Sequence, residues 1–162
     1  MKFIILIITL ILFSYANSSD IYKLKLTKKE LKYIKTSAMK NSIIKRFKQY
    51  KQLTKKVKDY STIRKLAHVN TFFNRILPKH DKAKYGISDY WTTQKEFIIK
   101  GQGDCEDYVI AKYFTLLEIG IKKEKLFLSI VKVKGKKTNH MVLYYFEDKN
   151  TVPLVMDNLN FK

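Results

Sequence analysis

The spacing of apolar residues changes once along this chain, near Gly120, and that change restricts the fold more than any other feature. Up to Gly120 apolar side chains return at helical intervals. Beyond it they stand in short runs rich in β-formers, separated by turns. Leu126-Phe127-Leu128-Ser129-Ile130-Val131-Lys132-Val133, His140-Met141-Val142-Leu143-Tyr144-Tyr145-Phe146 and Val152–Asp157 read as three strands. The turns between them, Gly135-Lys136-Lys137-Thr138 and Asp148-Lys149-Asn150, are short enough only for antiparallel neighbours. Helices first and an antiparallel meander afterwards make an α+β fold.

The helical half is punctuated clearly. Thr27-Lys28-Lys29-Glu30 is a capping-box pattern, and Leu31, Ile34, Ala38, Ile44, Phe47, Tyr50, Val57 and Tyr60 follow at mostly helical spacing. This basic amphipathic stretch is expected to face a core; its alternative is a peripheral position on an anionic membrane surface. A second helix is expected from Ser61 to Leu77, with Ile63, Leu66, Val69, Phe73 and Ile76 inward and Pro78 at its end. Residues 79–91 read as a charged loop. Thr93-Gln94-Lys95-Glu96 caps a short helix ending near Gly101, and Cys105 opens a longer one that stops at Gly120.

The chain has 162 residues, room for one domain with a modest core. Its first residues stand apart from that core. Lys2, an apolar run over residues 3–13 and Ser14-Tyr15-Ala16 have the order of a secretory signal peptide, expected to end at Ala16. The run is too short to cross a bilayer as a helix, which takes about 20 residues. Residues 1–16 are therefore assigned to export and residues 17–162 to a single domain in an extracytoplasmic compartment. The formal charge of +19 invites a nucleic-acid partner. The lysines, however, are spread over nearly every segment, with no zinc-finger spacing and no RNP-type aromatic motif, so no nucleic-acid partner is expected.

The single cysteine is the chemical centre of the sequence. An exported chain with one cysteine forms no internal disulfide, so the thiol is reactive or paired with another chain. Cys105 sits at an expected helix start, where unpaired N–H groups and the helix dipole favour a thiolate, and Gly101 and Gly103 let backbone approach closely. A nucleophile needs a base, and the base needs an orienting group. His140 begins the second strand. If residues 147 and 152 close the next turn, His140 stands opposite Leu159 and shares a sheet face with Asp157. The sequence thus permits a triad of Cys105, His140 and Asp157 in the order nucleophile, base, orienter. The Cys105 N–H is a natural oxyanion donor, with Gln102 a weaker second. Asp104, Glu106 and Asp107 would simply cap the helix, but anions beside a thiol oppose its ionisation. A hard cation on Asp104 and Glu106 would neutralise them, and oxygen ligands in that compartment point to calcium.

Gly103-Asp104-Cys105-Glu106-Asp107-Tyr108, Ala111-Lys112-Tyr113, His140-Met141-Val142-Leu143 and Leu154-Val155-Met156-Asp157-Asn158-Leu159 resemble the LapG-like bacterial transglutaminase-like cysteine proteases. Val69-Asn70-Thr71-Phe72-Phe73-Asn74-Arg75 and Asp89-Tyr90-Trp91-Thr92-Thr93 extend the likeness over roughly residues 60–159. The resemblance implies a papain-like, transglutaminase-like fold and a periplasmic endopeptidase that cuts the N-terminal module of a large secreted adhesin. Such cleavage releases the adhesin and so controls attachment and biofilm. It further implies calcium at Asp104 and Glu106, Cys105, His140 and Asp157 as the triad, and sequestration by an inner-membrane, LapD-like cyclic-di-GMP receptor. Two departures are visible: Tyr85-Gly86 stands where the family has Trp-Gly, and the chain ends at Lys162, where members usually run on for some tens of residues. On chemistry alone the same residues also suit a transglutaminase-type acyl transferase, and the short end suits a truncated, non-catalytic adaptor. Trp91 is expected in the core.

Overall fold

The computed structural model describes residues 18–80, 90–136 and 138–159. The assigned signal segment, and most of the expected loop over 79–91 with Tyr85, Gly86 and Asp89, lie outside the described residues. Among the described residues five α-helices lead into the sheet: α1 Lys28–Thr36, α2 Lys40–Val57, α3 Thr62–Asn74, α4 Gln94–Lys100 and α5 Cys105–Glu118. The expected strands appear as β3 Leu126–Lys132, β4 Asn139–Tyr145 and β5 Leu154–Met156, antiparallel throughout with β4 in the middle. A two-residue parallel pair, β1 Leu77–Pro78 with β2 Gln102–Gly103, lies between the helices. This is the α+β order expected from the sequence.

Local chemistry explains most boundaries. Thr27 Oγ1 accepts from the Glu30 N–H at 3.2 Å and Glu30 Oε2 accepts from the Thr27 N–H at 2.6 Å, the full capping box. Thr93 caps α4 by accepting from the Glu96 N–H, and Gly101 ends that helix in the left-handed region at φ +64°. The basic stretch over 28–60 is two helices, broken where Ser37 turns extended. Its apolar stripe faces the core through Ile34, Ile43, Phe47, Tyr50, Leu53 and Val57. Ile44, expected inside, is 48% exposed, because the shift in phase at the break puts Ile43 inward instead. Ile63 is likewise exposed, on the first turn of α3. Leu77 and Pro78 were expected to end that helix. They instead pair with Gln102 and Gly103, since α3 stops at Asn74 and the extended residue before a proline suits a strand. No helix among the described residues is long and apolar enough to cross a membrane.

The central element is α5, packed against α3, α4 and β4. Phe73 of α3 stacks on Phe97 of α4 at 6.1 Å, and Phe97 meets Tyr108 of α5 edge-on at 4.9 Å. This aromatic column, fully buried, fixes the start of α5 against both neighbours. At its other end Gln94 donates to the Tyr50 hydroxyl at 2.8 Å and to Thr115 Oγ1 at 2.7 Å, while Tyr50 donates to Glu118. Met141, Leu143, Tyr145 and Met156 close the core from the sheet side.

Candidate active site

The nucleophile loop is held from behind before any chemistry is considered. Arg46 of α2 donates through Nε to Ile98 O and through Nη2 to Ile99 O, both at 2.7 Å, and so satisfies carbonyls at the end of α4. The chain then turns at Gly101 and pairs with β1, where the Lys79 N–H reaches Gly103 O at 2.7 Å. Gly103 has no room for a side chain: an added Cβ would lie 2.1 Å from Asp107 Oδ2. That close approach is productive, because Asp107 Oδ2 accepts from the Asp104 N–H at 3.3 Å. Asp107 Oδ1 accepts from the Thr92 N–H at 2.8 Å and Thr92 Oγ1 at 2.6 Å. Burial raises the Asp107 pKa, with the Thr92 bonds working against it. The side chain is thus a buried fastener between the first turn of α5 and the segment that carries Trp91.

Cys105 opens α5 half-buried, in a cleft of about 600 Å³ shared with His140, Asp104, Glu106, Trp91 and His80. Its Sγ donates to Glu106 Oε2 at 3.3 Å. Burial pushes the thiol up to about 11; the backbone N–H of Met141 lowers it, and Glu106 and Asp104 raise it again. Glu106 is itself buried, and desolvation together with Asp104 lifts its carboxyl to about 8. His140 is buried on β4, and its Nε2 meets Asp157 Oδ1 at 2.7 Å. The same Oδ1 accepts from the Asn158 N–H at 2.6 Å and the Leu159 N–H at 3.1 Å. Burial opposes the Asp157 charge, but the His140 bond and these N–H groups outweigh it and hold the carboxyl below its ordinary range. With Nε2 engaged by a carboxylate, Nδ1 is the ring nitrogen left to serve as a base.

The register that sets this pair is the one expected from the turn: Leu143 faces Met156, Tyr144 faces Val155 and Tyr145 faces Leu154. Continued to the strand end, it leaves His140 and Asp157 on one face. Cys105, His140, Asp104 and Glu106 all line the cleft, and Asp157 holds the His140 ring through Nε2. Gln102 is a strand residue paired with Leu77. Trp91 is not core: it is 52% exposed and lines the cleft, because its neighbour Thr92 takes the inward position on Asp107. His80 in the cleft and Asn74 under Asp157 were not singled out beforehand. Asn74 Nδ2 donates to Asp157 O at 2.7 Å. No pattern within α3 announces that bond, since its partner lies 83 residues further along the chain.

Among the described residues no group of three or more His, Cys, Asp and Glu side chains gathers as a metal site. The donor chemistry at Asp104 and Glu106 nevertheless fits a hard cation. Two carboxylates share the cleft, and burial together with Asp104 raises the Glu106 pKa, an effect that a bound cation would offset. Calcium takes six to eight oxygens, so these side chains would supply part of a shell. Asp107 is already committed to Thr92 and Asp104.

The fold has counterparts among known proteins. Residues 44–162 match the family described as bacterial transglutaminase-like cysteine proteinase BTLCP. Among solved structures, LapG of Legionella pneumophila and its EGTA-treated form each share 30% identity, at a TM-score of 0.70. Each match covers 88% of this chain and 71% of LapG. The calcium-bound form of that protein matches at 0.69, with 30% identity over 88% of this chain and 73% of LapG. No curated protein matches the chain.

Proposed function

The chain belongs to the bacterial transglutaminase-like cysteine proteinases, and from that membership we propose that it is a calcium-dependent periplasmic endopeptidase. Its substrate is the N-terminal region of a large surface adhesin, and cleavage there releases the adhesin from the cell. The observation that carries this reading is the 2.7 Å pair of His140 Nε2 with Asp157 Oδ1, in one cleft with a cysteine at a helix start. An inner-membrane cyclic-di-GMP receptor of the LapD type is the expected regulator.

Each residue then has one task. Asp157 holds the proton on Nε2 and leaves Nδ1 of His140 free to take the Cys105 proton. The thiolate sulfur bonds to the scissile carbonyl carbon, and the carbonyl oxygen, now negative, faces the Cys105 backbone N–H. As the carbon–nitrogen bond breaks, His140 returns its proton to the departing amine, leaving a thioester on Cys105. Water, deprotonated by His140, attacks that thioester; the new acid leaves and the thiol is restored. Calcium, held by Asp104 and Glu106, would neutralise the two carboxylates and draw Glu106 away from the thiol. That a calcium-bound form of LapG exists supports calcium as the ion.

The test is incubation of the purified protein with an adhesin N-terminal fragment from the same genome, with calcium, with EGTA, and as Cys105→Ala. Calcium-dependent cleavage lost in Cys105→Ala is the expected result. Cleavage indifferent to EGTA would remove calcium from the mechanism. No cleavage by the folded protein would overturn the protease reading.

A further inference from the structure

α2 and α3 pack side by side, and between them runs a groove of about 640 Å³ that the mechanism does not use. Its apolar floor comes from Leu53, Phe72 and Ile76. Phe72 is held in place there, edge-on to Phe73 at 4.9 Å and 6.0 Å from the Tyr50 ring. Cations surround that floor: Arg46 and Lys56 from α2, and Arg75 from the end of α3. Neither helix contains an aspartate or glutamate. No described carboxylate lines the groove or forms an ion pair with these three side chains. Their field is unopposed, which suits an anionic ligand.

The dimensions narrow the choice. Arg46 and Lys56 stand about 15 Å apart along α2 at the ordinary helical rise. A single phosphate is too small to bridge that distance, whereas about four or five extended residues of polypeptide span it. Gln49 and Gln52 lie between the two cations, and their amides can both donate to and accept from a peptide backbone. Leu53 and Ile76 are buried, so a flat bilayer surface would meet the cations without reaching the floor.

The groove is also in the right place. Leu77 and Gly101 line it, Pro78 and Asp104 line the cleft, and the pairing of Leu77–Pro78 with Gln102–Gly103 stands between. Groove and cleft thus adjoin across one short strand pair. Arg46 is fixed at that border by its bonds to Ile98 O and Ile99 O, in which Nη1 takes no part.

We propose that the groove between α2 and α3 is an exosite for an extended acidic segment of the polypeptide substrate, with apolar side chains between its carboxylates. This rests on the protease reading, which supplies a polypeptide in the neighbouring cleft.

Fluorescence anisotropy with a short labelled peptide of Glu and Leu reads the groove without any cleavage. The purified chain is compared with Lys56→Glu/Arg75→Glu, and with Lys48→Glu/Lys51→Glu, an equal change of charge at exposed positions outside the groove. The first pair should weaken peptide binding about tenfold and raise KM for the adhesin fragment by a similar factor with kcat unchanged, while the second should change either by less than about twofold. Lys56→Gln/Arg75→Gln repeats the comparison if charge reversal disturbs folding. Equal weakening by both pairs, or equal binding of a peptide with Gln in place of Glu, would overturn the proposal. So would groove-dependent binding of phosphatidylglycerol vesicles without peptide binding, which would make the occupant a membrane. Groove-dependent peptide binding without any cleavage would support the groove and overturn the protease reading. Cleavage with KM unmoved by the groove variants would do the reverse.

Discussion

Replacing Asp107 by alanine should unfasten the start of α5 while leaving the aromatic column beneath it intact. The carboxylate is 1% exposed, as is Thr92, whose N–H and hydroxyl both end on Oδ1. Alanine leaves those two donors buried and unpaired, at about 1–3 kcal/mol each. The bond to the Asp104 N–H is lost as well, and a missing cap costs about 0.5–2 kcal/mol. Because burial already works against the Asp107 charge, the lower half of that range applies, about 3–4 kcal/mol. Asp107→Asn keeps an oxygen for Thr92 and should cost only about 1 kcal/mol. Urea unfolding followed by fluorescence reads all three proteins, and the slope with denaturant should not change. In a Thr92→Val background the cost of Asp107→Ala should shrink by about 1 kcal/mol. A loss below 1 kcal/mol, or one indifferent to Thr92, would refute the view of Asp107 as a fastener. Cys105 alkylation should change in parallel, because the fastener sets the backbone on which the thiol sits.

Four other outcomes are expected. Gly103→Ala should lose several kcal/mol of stability or fail to fold, since its Cβ would stand 2.1 Å from Asp107 Oδ2 and 2.8 Å from the Phe97 ring; an unchanged melting curve would contradict this. Arg46→Ala should cost about 2–3 kcal/mol by freeing the carbonyls of Ile98 and Ile99, and lysine should restore little because it lacks the fork; full recovery in Arg46→Lys denaturation curves would count against the bidentate contact. Lys112, sealed in the core near the Tyr108 ring, has a folded pKa lowered by burial from 10.5 to about 7. Between those values the unfolded chain holds a proton that the folded chain has released, so stability relative to Lys112→Met should rise with pH across that window and stay flat below it. Thermal melts from pH 6 to 10 check the sign, and a falling difference would refute it. Finally, calcium should raise the melting temperature and EGTA reverse the rise, with Glu106→Gln showing a much smaller response; an equal shift in that variant would place the ion elsewhere.

Much of the site could be read from sequence because its parts are set locally. The cysteine helix start is marked by its own cap residues, and the His140–Asp157 pairing follows from one short turn and a period of two. Likeness to a protease family was visible in the same segments that the family match covers. What escaped depends on partners far along the chain. Trp91 faces the cleft because Thr92 is taken by Asp107, fifteen residues on. Asn74 is useful only because β5 ends above it, and Arg46 because α4 ends beside it.

The chain by itself determined the order of helices and strands, the capped helix starts and the register of the hairpin, because those depend on neighbours within a turn or two. Tertiary structure alone decided that Ile43 rather than Ile44 faces inward, that Leu77 and Pro78 form a strand, and that Lys112 lies sealed in the core. Periodicity tells which side chains share a face, but which face is buried, and against what, is settled only when distant segments pack.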